Sequence, residues 1–430
     1  MDSREKKGQQ IASCCRIKKD KDGYSVPSQM GKGRYEVTLE PYPRCTCPDY
    51  ELHANKCKHI YAVEYSIRCE VKVESDGQGN VTKTERVTVT ATKRTTYKQD
   101  WPAYNAAQTG EKDRFQELLA ELCRGVTEPP APPKGGRPSV PLSDRVFSVA
   151  FKVYSTLSSR RFACDLKAAH EKGHIYRLPH FNSVLRFLED GEMTPILKAM
   201  IAESGRPLAS IEQDFAADSS GFTTSRFESW YDHKYGVIRR QHEWVKVHVM
   251  CGVKTNVVTA VEIRDKDAQD APLLPALMDS TADRFTMREV SADKVYASLK
   301  NYAEIAKHGA TPYIPFKSNH TGRGGGLWAK MYHYFNYNRD EFLTHYHKRS
   351  NVESVFSMIK AKFGDAVRSK TDVAMRNEAL CKVLCHNVCC LIQSTHELGI
   401  EAKFWLGEPA IRTRTLGESS DEDLEAWGWV

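Results

Sequence analysis

No stretch of the 430 residues approaches the ~18–20 consecutive apolar residues that a bilayer-spanning helix needs. The first residues, Met1 to Lys7, are charged and lack the apolar core of a secretory signal. Both absences point to a cytoplasmic protein in a reducing compartment. There the thirteen cysteines require a reading other than disulfides. Cys164 and Cys251 are isolated, and Cys381, Cys385, Cys389 and Cys390 fall in an apolar helical stretch as small core residues. Strong charge of one sign is also missing. Sixty-two Lys and Arg against 55 Asp and Glu leave a formal charge of +7, too modest to establish a nucleic-acid partner by itself. No internal repeat with a period of 20–50 residues is present, which excludes solenoids and propellers.

What is present is enough apolar residue, 40% of the chain, for roughly two to four packed units. Residues 1–33 are polar and read as a poorly ordered segment. Residues 34–67 hold a compact Cys/His unit. Residues 68–128 read as a hairpin around Asp76-Gly77-Gln78-Gly79-Asn80, then a helix from Pro102 to Leu122. Residues 129–142 form a proline-rich linker. Three short amphipathic helices follow within 143–210, a helix-turn-helix-like, DNA-binding region. From 211 to 406 the order is strand, hairpin, helix, strand, helix, strand, helix, an α/β pattern with a mixed sheet. Residues 407–430 are an acidic, solvated tail.

The α/β segment carries three acids in suggestive places. Asp218 and Asp293 each follow an apolar strand, so a sheet can hold them side by side. Glu353 lies on a helix whose apolar stripe is Val352, Phe356, Ile359 and Phe363, with Arg349 and Lys360 sharing its polar face. Phosphoryl transfer between DNA strands needs this kind of set, because divalent ions that clamp the attacking and leaving oxygens take hard carboxylate ligands. A single such acid is more often a solvated carboxylate or a helix cap.

The sequences around the acids are more specific. Tyr346-His347-Lys348-Arg349-Ser350-Asn351-Val352-Glu353, with Lys360 seven residues on, resembles the Tyr-Arg-Glu-Lys signature of insertion-sequence transposases of the DDE type. Asp218-Ser219-Ser220-Gly221-Phe222 is similar to that family's first-acid segment, and Trp244-Val245-Lys246-Val247-His248 to its second strand. Ala292-Asp293-Lys294-Val295-Tyr296 resembles its second-acid segment, with Val295 where the family has glycine. The resemblance spans roughly residues 137–406. It implies an RNase H-like catalytic core, and Asp218, Asp293 and Glu353 as ligands of two Mg²⁺ or Mn²⁺ ions. It implies Tyr346, Arg349 and Lys360 as contacts to transposon-end phosphates. The implied partners are terminal inverted repeats and target DNA, met by a homodimer in a synaptic complex at the nucleoid.

Cys45-Thr46-Cys47 and Cys57-Lys58-His59 supply three thiols and an imidazole, the four N/S ligands of a structural Zn²⁺ site with no position left for a catalytic water. His53 is the competing imidazole. The Cys-x-Cys, Cys-x-His pattern resembles a SWIM zinc finger, a unit associated with binding DNA or protein. Three weaker signals remain. Lys134-Gly135-Gly136-Arg137-Pro138 is similar to an AT-hook core, with plain linker as the alternative. Asn182 and Arg186, on the third short helix, are suited to reading bases or to a dimer contact. Trp328 is suited to stacking on an unpaired base or to filling the core. The sequence supports cut-and-paste transposition first. A transposase-derived DNA-binding protein without strand transfer and a metal-dependent nuclease are the alternatives.

Overall fold

The computed structural model describes residues 3–15, 17–20, 23–28, 33–39, 42–53, 55–75, 81–89, 100–128, 139–224, 244–264 and 268–405. The proline-rich stretch 129–138, Arg137 and the acidic tail lie outside them. The chain forms two compact units, residues 1–99 and 100–430.

The first unit opens with a helix, α1 (Ser3–Cys14), and four antiparallel strands in sequential order. These are β1 (Lys18–Asp20), β2 (Gly23–Pro27), β3 (Arg34–Thr38) and β4 (Arg44–Cys45). Two helices follow, α2 (Pro48–His53) and α3 (Lys58–Ser66), then a hairpin of β5 (Ile67–Ser75) and β6 (Val81–Val89). The described part of residues 1–33, a segment that reads as poorly ordered in the sequence, therefore forms a helix and two strands. Ile11 and Val26 are fully buried with Val37, Ile60 and Val63, so one apolar residue per element suffices to recruit them. Gly8 permits the close approach of α1 to α3, since a Cβ there would stand 2.4 Å from the Tyr61 Cβ.

The second unit begins with α4 (Trp101–Thr109) and α5 (Glu111–Cys123), two helices divided at Gly110 where the sequence suggests one. Next come α6 (Leu142–Ser155), α7 (Ser159–Glu171), α8 (Phe181–Leu188) and α9 (Met193–Gly205). The sheet follows, with β7 (Asp214–Thr223), β8 (Trp244–Gly252), β9 (Val258–Arg264), then α10 (Leu274–Ala282), β10 (Glu289–Ala292), α11 (Leu299–Lys307) and β11 (Thr311–Tyr313). Four helices complete it: α12 (Gly326–Tyr337), α13 (Arg339–Tyr346), α14 (Ser350–Phe363) and α15 (Asp372–Leu398). The strand order is β11-β10-β7-β8-β9, with β7, β8 and β9 antiparallel and β10 parallel to both β7 and β11. This is the RNase H-like mixed sheet that the resemblance implies.

Strand alternation sorts the core. Ala216, Val247, Val249 and Cys251 face a layer containing Val352, Phe356 and the buried side of α15. Ala217, Met250 and Ala260 face Leu277 and Tyr302 on the other side. Trp328 is buried against Tyr302 and Phe316, and its indole N–H donates to the Thr321 carbonyl at 2.8 Å, so it fills the core. The helices of 143–210 do not stand apart as a small bundle. Phe147, Phe151, Leu197 and Ile201 share one core with α14 and α15, because α15 is long enough, about 40 Å at 1.5 Å per residue, to touch helices and sheet alike. Among the described residues no helix is long and apolar enough to cross a membrane.

Buried polar side chains fix α15 against its neighbours. Asn387 is fully buried, donates to the Ile201 and Val258 carbonyls at 3.1 and 2.7 Å, and accepts from the Val258 N–H at 2.8 Å. Asn387→Leu leaves these groups unpaired, each at about 1–3 kcal/mol. Urea denaturation is expected to show a loss of about 2–4 kcal/mol, and a loss under about 0.5 kcal/mol would assign the helix–sheet contact to apolar packing alone.

Candidate active site and zinc cluster

The site is set by strand register. Parallel pairing aligns Ala217 with Ala292, so the next residues, Asp218 and Asp293, lie side by side on one face. Asp218 accepts from the Ser219 N–H at 2.8 Å, and Asp293 from the Lys294 N–H at 2.7 Å as it caps a short 3-10 turn. Val295 sits in that turn without a positive φ, exposed at 43%, so this chain needs no glycine there.

Glu353 reaches the same face from the first turn of α14. Arg349, immediately before that helix, joins the acids: one guanidinium nitrogen contacts Asp218, and the other donates to Glu353 at 2.6 Å. Burial raises the Asp218 pKa, with Asp293 and Asp270 adding to it while the Ser219 N–H and Arg349 oppose it. Tyr346 lies within the influence of Asp218, Asp293 and Arg349, and burial raises its phenol. Lys360 donates to the Ser220 hydroxyl at 2.8 Å and lies over the Phe222 ring at 5.6 Å. The three acids do not close to within 4.8 Å of one another. Their all-oxygen donor set and mutual repulsion suit hard divalent cations, and the bridging Arg349 supplies positive charge between two of them.

Several residues that sequence reasoning passed over hold this arrangement. Asp214 and Glu289 are register partners, each four residues before its strand's aspartate and on the same face. Lys348 donates to both, at 2.8 and 2.6 Å, Arg288 donates to Asp214 at 2.7 Å, and His345 pairs with Glu289 at 2.9 Å. This network ties the Tyr346–Arg349 segment to the two strands. The signal for it was an acid at the same offset before each aspartate, with a lysine beside the signature arginine. On the opposite face Asp270 pairs with Lys246 at 2.5 Å and accepts from the Ser219 hydroxyl at 3.2 Å, bracing the residue after Asp218. Asn182 and Arg186 are both exposed on α8.

Burial favours protonation of Asp214, but hydrogen bonds from Arg288 and Lys348 outweigh it and hold the carboxyl below its ordinary range. A depressed carboxylate pKa stabilises the fold above the unfolded value, near 3.9, and that stabilisation is lost as pH falls through the folded value. Lys348→Met is therefore expected to lower the melting temperature at pH 6–8, with the gap from wild type closing below about pH 4. A gap that is constant with pH would show that Lys348 acts by packing.

In the first unit, Cys45 ends β4, Cys47 precedes α2, Cys57 precedes α3 and His59 lies in its first turn. All four are buried, and one donor atom from each lies within 4.8 Å of the others. The His59 Nδ1 is 3.9 Å from both the Cys45 and Cys57 sulfurs, close to the roughly 3.5–3.8 Å edges of a tetrahedron with Zn–S and Zn–N bonds of about 2.3 and 2.0 Å. Hydrogen bonding from Cys45 lowers the Cys57 thiol, and the same contact pushes Cys45 upward. His53 is exposed at the end of α2 and outside the cluster. Zinc is expected at about one ion per chain. Cys57→Ser should release it and make residues 34–67 protease-sensitive, since so small a core depends on the metal. Purified full-length protein lacking zinc would overturn the site.

The family model for the transposase DDE domain matches residues 210–388, and that for the SWIM zinc finger matches residues 35–68. No curated protein and no solved structure matches the chain.

Proposed function

We propose that this chain, which carries a transposase DDE domain and an N-terminal SWIM zinc finger, moves an insertion sequence by cut-and-paste transposition. It acts on DNA as a nucleic-acid-cleaving enzyme. In the proposed cycle it recognises terminal inverted repeats, cleaves a strand to free a 3′-hydroxyl, and directs that hydroxyl at a phosphate of target DNA. Two copies would act in the synaptic complex at the nucleoid. The observation that carries the reading is the juxtaposition of Asp218 and Asp293 on parallel strands, with Arg349 linking Asp218 to Glu353.

Asp218, Asp293 and Glu353 would hold two divalent ions, Mg²⁺ or Mn²⁺. Bound there, such ions neutralise the scissile phosphate and activate the attacking oxygen. The remaining work falls to the chain. Arg349, released from Asp218 and Glu353, is placed to turn its planar fork to a phosphate. Tyr346, a phenol that ordinarily keeps its proton at neutral pH, would donate a hydrogen bond to the same phosphate. Lys360 can exchange the Ser220 hydroxyl for a backbone phosphate of the transposon end. The zinc cluster leaves no ligand position open and serves to shape its unit for DNA or protein contact.

Asp218→Asn, Asp293→Asn and Glu353→Gln are each expected to abolish cleavage and joining while end binding survives, because the amide keeps the shape but not the charge. Arg349→Ala and Lys360→Ala should each weaken end binding and reduce the slope of log affinity against log salt by about one unit. A strand-transfer assay with the element's own ends decides this. Joining near the wild-type rate by any amide variant would remove that acid from the centre, and unchanged salt slopes would make Arg349 and Lys360 structural.

A further inference from the structure

Beyond the acids, β7 runs from Asp218 to Thr223, about 17 Å along the strand at 3.3–3.4 Å per residue. There the chain following α14 joins it: the Thr223 N–H donates to the Asp365 carbonyl, and the Val367 N–H to the Thr223 carbonyl. Two adjoining cavities open at this point, of about 310 and 510 Å³, sharing Thr156, Phe363 and Arg368. The first lies between the α6–α7 junction and residues 368–369.

The walls are cationic. Lys152, Arg368 and Lys382 line the first cavity and Lys370 the second. The first three spend their donors on neutral carbonyls. Lys152 donates to Leu157 at 2.6 Å, Lys382 to Gly364 and Ala366 at 2.9 and 2.8 Å, and Arg368 to Thr156. Their charge is therefore not cancelled by these bonds. The acid on the first cavity's wall, Glu378, accepts from the Arg368 and Ser369 N–H groups and the Ser369 hydroxyl. Asp365, on the second cavity, is exposed. Ser158 and Ser159 add hydroxyl donors at the start of α7, where the Ser158 side chain makes no cap. The start of α7 reinforces the cation-lined cavity, because its first N–H groups carry partial positive charge.

We propose that this cavity binds a backbone phosphate of the DNA strand whose scissile bond lies at Asp218, Asp293 and Glu353. The proposal rests on the DNA-cleaving reading and extends it to a second contact on the same strand. Lys360, at Ser220, lies between the two points on β7 and marks the path. A duplex strand carries one phosphate per 3.4 Å of axis, so about five steps span the interval. The contact reads charge, not base identity, and fixes how far the strand can slide through the site.

The test uses the full-length protein and a random-sequence linear duplex, with affinity measured across a salt series. Arg368→Ala combined with Lys370→Ala should lower affinity about tenfold and reduce the salt slope by about 0.9 for each phosphate no longer neutralised. Arg368 also braces the Thr156 carbonyl, so changes at the exposed Lys370 and the half-buried Ser159 keep the test independent of folding. Lys370→Glu and Ser159→Asp should each weaken binding while melting as wild type does. Wild-type affinity and slope in both of these folded variants would overturn the proposal. Inorganic phosphate tests the competing source. If phosphate alone raises the melting temperature while every variant keeps the wild-type DNA slope, the cavity is a small-anion site and the proposal fails. Asp218→Asn leaves the cavity intact and should bind with the wild-type slope, so loss of its cleavage reports on the acids and not on the cavity.

Discussion

Two carboxylates at neighbouring positions of parallel strands repel each other, and the second unit is organised around tolerating that repulsion. Register alone brings Asp218 and Asp293 together, and a slip of one residue would send one of them to the opposite face. Burial and the second aspartate both disfavour charge on Asp218. Arg349 offsets the strain by bridging Asp218 and Glu353, which also ties α14 to β7. A second row of acids, Asp214 and Glu289, repeats the crowding four residues earlier, and there Lys348 and Arg288 are the permanent counter-ions. One row is fully balanced and anchors the sheet. The other is balanced by a single side chain, Arg349.

The rest of the unit keeps that geometry rigid. α15 crosses the helical layer and clasps both it and the chain after α14, through Asn387 at β9, Glu378 at residues 368–369, and Lys382 at residues 364 and 366. Lys382 is nearly fully buried, and burial lowers its pKa to about 8. So costly a placement is tolerated because two carbonyls and the Phe222 ring face the ammonium. The same segment carries Arg368 and Lys370, so the fold fixes the cationic cavity at a set distance from the acids.

Much of this was legible in the sequence because it is local. The strand before Asp293, the α14 stripe and the two ligand pairs of the finger are all patterns within a dozen residues, whereas Asp218 does not end its strand: β7 continues to Thr223, held by its pairing with β8. The misreadings were non-local. Ile11 and Val26 each add one apolar residue to a polar stretch, and only the shared core makes α1 and β2 part of the unit. The helices of 143–210 are amphipathic by period, but periodicity does not tell whether the apolar face meets its neighbours or α15, which begins only at Asp372. Spacing alone puts Arg349 on one helical face with Glu353. The bond of Arg349 to Asp218, across 131 residues, required the fold.

On the proposed function, Arg349 and bound divalent ions would serve the same carboxylates, each supplying positive charge at Asp218 and Glu353. Melting temperatures of wild type and Arg349→Ala across a Mn²⁺ series test that shared role most directly. Without metal the variant should melt lower, because Asp218 and Glu353 lose their shared counter-ion. Added Mn²⁺ should raise the variant more than the wild type and close the gap. A gap that persists unchanged at saturating Mn²⁺ would contradict the shared role and reduce Arg349 to a packing residue.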